Sequence, residues 1–310
     1  PAFAGASFGQ VGQYRRIAGR AFGEVDPAAP GNAIIQDIGL APRNARGMVE
    51  YTTDIDIIRP ADPAKSNDVL LFNIVNRGNK GALTLFNADA AGSLAEINNG
   101  QVVGDGWLQA NGYTLIFFGW QADVLPGADR LTLKVPVAKN PDGTPVTGVL
   151  RTELITQAPT PTLNLSSGWF TTMTHASYPT ASTDNKTALG DGFLPSLTVR
   201  AKEREARVPI ANSEWSFGAC NEGQAPQVND TQICYPAKFQ PGRIYELIYR
   251  AKDPTVLGLG FAATRDLATF FRASQKDDAG SANPVYRADN RAVLMGTSQS
   301  GRFVRQYIHL

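Results

Sequence analysis

Hydrophobic and polar positions alternate in two early segments of the chain. QYRRIAGRAFGEV (residues 13–25) and MVEYTTDIDIIRP (residues 48–60) carry the two-residue period of strands. The second is the clearer, with Val49, Tyr51, Ile55 and Ile57 in step until Pro60 breaks the pattern. Two later segments are apolar without alternation: VLLFNIV (Val69–Val75) and YTLIFFGW (Tyr113–Trp120). A short continuous run of this kind predicts a strand covered on both faces, as in a parallel sheet. The turn signals SND and NRGNKG bound the first run, and Asn111-Gly112 precedes the second.

From Gln121 to about Arg243 the pattern changes. LTLKVPVA, VLRTELIT and LTVRAKEREARVPI are separated by stretches rich in Pro, Gly and Thr, which predicts a β-rich insertion. The parallel-sheet rhythm resumes at RIYELIYRAKDP. Leu259, Ala262, Ala263, Leu267, Phe270 and Phe271 then fall at helical spacing. RAVLMGTS reads as a buried strand, Ala292–Met295, running into the tight turn GTSQSG and a helix through Phe303, Val304 and Tyr307. The expected class is therefore α/β, a mostly parallel sheet with a β-rich insertion. Residues 1–120 supply the N-terminal strands and the first half of the sheet, and 121–243 the insertion. Residues 244–310 supply strand, helix, strand, turn and helix.

That last turn carries the candidate chemistry. An unactivated serine must be presented free of its own backbone, and a sharp strand-to-helix turn does so when small residues lie two before and two after it. Gly296 precedes Ser298 by two, and Ser300 follows by two with Gly301 beyond, so the pattern is G-x-S-x-S-G. Ser298 is the candidate nucleophile, and the Gln299 amide at the helix N-terminus is a candidate oxyanion donor.

With these residues in hand, the chain resembles the α/β-hydrolase superfamily. More narrowly, it resembles the large secreted bacterial proteins described only as alpha/beta hydrolase domain proteins. The likeness rests on NIVNRGNKG, GYTLIFFGWQAD, YELIYRAKDPTVLGLGFAATRDLATFFR and VLMGTSQSGRF. It implies that the loop after Val69–Val75 supplies a second oxyanion amide from Asn76, Arg77 or Gly78. The other reading of NRGNKG is a plain polar turn. The likeness also implies an acid and then a histidine later in the chain than the serine. Only His309 follows, and eleven helical residues put it roughly 16 Å away. His175, in TTMTHASYP, reads as a loop histidine. The 310 residues are accordingly expected to be the N-terminal part of a longer hydrolase, inactive by themselves.

Composition adds limits. Lys+Arg 29 against Asp+Glu 28 leaves +1, which gives no electrostatic reason to expect nucleic acid or an anionic membrane. No apolar run is long enough to span a bilayer. Cys220 and Cys234 flank a polar loop, with a disulfide as the favoured reading and free thiols as the other. A disulfide favours a periplasmic or secreted protein. The sequons at Asn164, Asn185 and Asn229 matter only in a eukaryotic secretory host. Asp266, beside Arg265, reads as an ion pair or cap, and Tyr249–Pro254 as a charged strand end. No metal-ligand spacing or cofactor loop is present, and ester chemistry needs neither.

Three functions compete: a serine hydrolase acting on a small carboxylic ester, a non-catalytic binding or scaffold protein, and an acyl transferase sharing the serine. Near-neutral charge and an aromatic-rich insertion, with Trp169–Tyr178 as a candidate cleft, favour an uncharged ester.

Overall fold

The computed structural model describes residues 1–125, 127–166, 175–221 and 223–310. The chain begins with β1 (Ser7–Phe8), β2 (Gly12–Val25), α1 (Pro30–Ala33), β3 (Val49–Pro60) and β4 (Val69–Ile74). Three short helices follow, α2 (Ala82–Phe86), α3 (Leu94–Asn98) and α4 (Trp107–Ala110), then β5 (Thr114–Phe118) and β6 (Leu133–Lys134). A run of strands comes next: β7 (Thr147–Leu154), β8 (Thr160–Asn164), β9 (Ser196–Arg200), β10 (Val208–Ile210) and β11 (Ser216–Phe217). It continues through β12 (Ala219–Asn221), β13 (Gln224–Gln227), β14 (Gln232–Phe239) and β15 (Ile244–Lys252). The last elements are α5 (Leu259–Ala273), β16 (Arg291–Met295) and α6 (Gln299–Tyr307). Two compact units result: Pro1–Pro136 with Val256–Leu310, and Val137–Thr255.

The first unit is built on a seven-stranded mixed sheet in the order β1-β2-β3-β5-β4-β16, with β6 pairing β3. β2 and β3 form a long antiparallel ladder from Tyr14↔Pro60 to Val25↔Val49, and β3 meets β5 antiparallel. β4 runs parallel to both β5 and β16. Successive side chains of a strand point to opposite faces, so β4 and β5 feed two cores. Leu71, Leu115 and Phe117 face one, with Tyr14, Leu83 and Leu108. Leu70, Phe72, Ile74, Ile116 and Phe118 face the other, closed by Leu267, Phe271 and Phe303. Burying each such side chain contributes about 1.5–3 kcal/mol relative to leaving it exposed.

The second unit holds the remaining strands, in sheets β10-β9-β15-β7, β11-β14-β8 and β12-β13, all antiparallel. Its core gathers Trp215, Phe217, Phe239, Tyr245, Leu247 and Tyr249. Glu246 is buried in β15 against Arg207, Arg151 and Arg200. Hydrogen bonds from these guanidinium groups, Arg207 first, hold its carboxyl down at about 2. Cys220 and Cys234 form the disulfide, with Cα atoms 4.9 Å apart. Asn185 is buried with its amide donating to Trp215 O at 2.7 Å, so this sequon is sequestered.

The expected fold class is corrected by these pairings. The chain does not form a mostly parallel α/β-hydrolase-like sheet: it is 32% strand and 17% helix, with mixed and antiparallel sheets and few helices. Continuous hydrophobicity reports burial on both faces, and β4 and β5 are so buried, but burial does not set strand direction. β15 illustrates the point. Its apolar run reads like that of β4, yet it lies antiparallel between β7 and β9 in the second unit. β16, expected to be buried, is instead the sheet's outer strand, with Val293 47% exposed.

Candidate functional site

Parallel pairing fixes where the two predicted turns emerge. Met295 at the end of β16 sits opposite Asn73 near the end of β4, so the chain leaves both strands at the same end of the sheet. One exit is Gly296-Thr297-Ser298 into α6; the other is Asn76–Asn79.

At the first exit Ser298 adopts φ 58°, ψ −115°, a backbone conformation that residues other than glycine rarely enter, at a cost of about 1–3 kcal/mol. Local contacts hold it there. Ser300 is fully buried, and its Oγ accepts from Thr297 N at 2.9 Å while donating to Thr297 O at 3.0 Å. Arg302 N closes the first helical turn on Ser298 O at 3.1 Å. Phe303 anchors α6 between Trp120 and Phe261, with ring centroids 4.2 and 4.4 Å away. Gly296 is obligatory, because a Cβ there would lie 2.4 Å from the Ser300 carbonyl oxygen. The serine at position 300 therefore has a structural role: its hydroxyl pins the turn. The Ser298 side chain is exposed and makes no capping bond.

At the second exit Asn76 and Asn79 exchange backbone hydrogen bonds of 3.0 Å each around Arg77 (φ 51°) and Gly78 (φ 81°). Two successive left-handed residues define a type I′-like turn, in which Asn, Asp and Gly are favoured. Gly78 meets that demand and a steric one, since a Cβ would lie 2.7 Å from Arg130 Cβ and 2.9 Å from Leu131 O. Arg77 Nη1 reaches within 3.4 Å of Gln299 Oε1. Two residues separated by 222 positions, each expected near an oxyanion, are thus brought together. The Oδ1 of Asn76 is buried without a hydrogen-bond partner among the described residues.

Beneath this turn lies a buried polar cluster that sequence reasoning missed. The Lys80 side chain is completely buried; its Nζ pairs with Asp56 Oδ2 and donates to Asn98 O, and it sits 5.2 Å from the Phe117 ring centre. Burial pulls the lysine's pKa down, while Asp56 acts in the other direction. Arg16 closes on the same Asp56 oxygen at 2.6 Å. Asn98 Oδ1 accepts from Lys80 N at 2.9 Å, and its Nδ2 donates to Asn79 Oδ1 at 3.0 Å. Asn73 Oδ1 accepts from Gly81 N and Ala82 N at 2.8 and 2.9 Å. The one available signal was a charged residue, Asp56, inside the apolar stretch Ile55–Ile58.

Other candidates fall elsewhere. His309 is exposed beyond the end of α6. His175 belongs to the second unit, its Nδ1 2.8 Å from Ala176 O. The suggested cleft Trp169–Tyr178 lies largely in 167–174, outside the described residues. Asp266 pairs with Arg265 at 2.9 Å and accepts from the Tyr51 hydroxyl at 2.9 Å. Among the described residues no group of three or more His, Cys, Asp or Glu is arranged to hold a metal, and no helix is long and apolar enough to cross a membrane. Comparison with models of known protein families, with curated proteins and with solved structures found no match.

Proposed function

We propose that this chain carries the nucleophile of a serine hydrolase acting on a small carboxylic ester. The supporting observation is Ser298 itself. Its backbone is held in a strained conformation at a strand-to-helix turn, and its hydroxyl is exposed and uncommitted to any cap. Strain at one exposed polar residue, maintained by a buried Ser300 and an obligatory Gly296, is a feature of functional turns.

In the proposed reaction Ser298 Oγ attacks the ester carbonyl carbon, and the hydroxyl proton passes to a histidine of the full-length protein other than His175 and His309, acting as general base. The new O–C bond forms as the carbonyl π pair moves to oxygen. The Gln299 amide, with an amide from the Arg77–Gly78 turn, stabilises that oxyanion. Collapse breaks the bond to the alcohol, which leaves with a proton. Water then adds to the acyl-serine and releases the carboxylic acid. No cofactor enters this chemistry. The disulfide supports a protein of the periplasm or exterior.

The test is covalent labelling of the full-length protein with a fluorophosphonate. Wild type is expected to label and Ser298→Ala is not. A wild type that stays unlabelled beside a reacting control hydrolase overturns the reading and favours a binding or scaffold role; equal labelling of Ser298→Ala overturns it too.

A further inference from the structure

Arg77 is an unexpected residue for its position. Its left-handed backbone (φ 51°) suits Asn, Asp or Gly and penalises an arginine. Its guanidinium, a five-donor group, is partly buried, pairs with no carboxylate among the described residues, and has a single long contact, Gln299 Oε1 at 3.4 Å. Arg16 is paired with Asp56, and the buried Arg200 with Glu153 and Glu246, while Arg59 and Arg130 turn to the backbone carbonyls of Pro60 and Leu125; Arg77 has neither a carboxylate nor a backbone carbonyl among the described residues.

The turn is also held rigidly. The Asn76–Asn79 bonds close it, Leu131 N donates to Gly78 O at 2.9 Å, and Asn98 grips both Asn79 and Lys80. A cation carried on a fixed turn beside the nucleophile turn, with most of its donors unspent, is placed to meet an anion from outside the protein.

We infer that Arg77 is a specificity-determining residue that binds a carboxylate on the acyl chain of the ester, opposite to the uncharged substrate that composition favours. The acyl half is chosen because the same turn is assigned to the carbonyl oxygen, which belongs to that half. A guanidinium fork matches a carboxylate with two parallel charge-assisted hydrogen bonds, and such a carboxylate is ionised at neutral pH. This inference rests on the Ser298 reading.

The experiment, on the full-length protein, compares mono-4-nitrophenyl succinate with 4-nitrophenyl butyrate, which differ by a carboxylate in place of a methyl group. Wild type is expected to favour the succinate in kcat/KM by about ten- to a hundredfold, and less at high salt. Arg77→Asn, which suits the turn and preserves the fold, should bring the ratio near unity, and Arg77→Lys should retain part of it. The ratio carries the test, so a general loss of rate does not count. A labelled wild type with no preference for succinate, or an Arg77→Asn ratio equal to wild type, overturns the role of Arg77 and leaves Ser298 standing. A wild type that neither labels nor cleaves either ester fails at Ser298 and takes this inference with it.

Discussion

The two turns at the end of the first unit's sheet hold a non-glycine residue in left-handed backbone by different means. Ser298 is constrained chiefly by its immediate neighbours: Gly296, Thr297, Ser300 and Arg302 supply the close approach and the hydrogen bonds of its turn. Arg77 lies in a turn closed locally by the Asn76–Asn79 bonds but also held from afar, by Asn98 on α3, Asp56 on β3 through Lys80, and Leu131 beyond β5. The difference teaches where each turn is vulnerable. A local turn breaks when one small residue gains a methyl group. A turn held through tertiary contacts breaks when a distant partner is removed.

The largest expected effect is on the local turn. Gly296→Ala places a methyl group against the Ser300 carbonyl, where backbone has to move, and should destabilise the first unit by about 3 kcal/mol while abolishing fluorophosphonate labelling. A urea-unfolding free energy within about 0.5 kcal/mol of wild type would show that the turn is not so constrained. The distant turn has its counterpart in Lys80→Met, which leaves Asp56 with Arg16 alone and should cost up to about 3 kcal/mol. Combined with Asp56→Asn, the loss should be smaller than the two single losses together; strict additivity would mean that the pair does not act as a unit. The pH dependence follows from the same pair. Burial lowers the Lys80 pKa below its usual 10.5, so over that interval the unfolded chain holds the proton more tightly and stability rises with pH. Lys80→Met should remove that rise, as measured by unfolding across the alkaline range. The smallest effect is the stabilisation of Arg77→Asn by about 0.5 kcal/mol, from relief of left-handed strain. A loss of similar size in thermal unfolding would indicate that the guanidinium has a structural partner after all.

Legibility from sequence followed the range of the contacts. The strand-to-helix turn could be read because its determinants lie within six residues, Gly296 to Gly301. β2 to β5 could be located because two-residue alternation and unbroken apolar runs are local statements about burial. The disulfide was readable for a similar reason, two cysteines flanking one polar loop. The expectation of a mostly parallel sheet failed because strand direction depends on which partner a strand finds. Ile244–Lys252 carries the hydrophobicity of a central strand and found β7 and β9, both antiparallel to it. Lys80 escaped notice because a lysine after a glycine-containing turn looks like a solvated residue until Asp56 and Asn98 are brought over it.

By itself, then, the sequence determined the strand-to-helix turn at Gly296–Gly301, the buried strands β4 and β5 and the covalent loop, because each is set by residues close together along the chain. Tertiary structure alone decided the mixed sheet, the meeting of Arg77 with Gln299 across 222 residues, and the burial of a lysine beneath that turn. Those outcomes rest on charge desolvation and strand pairing between remote segments, and these depend on spatial neighbours that no local pattern names.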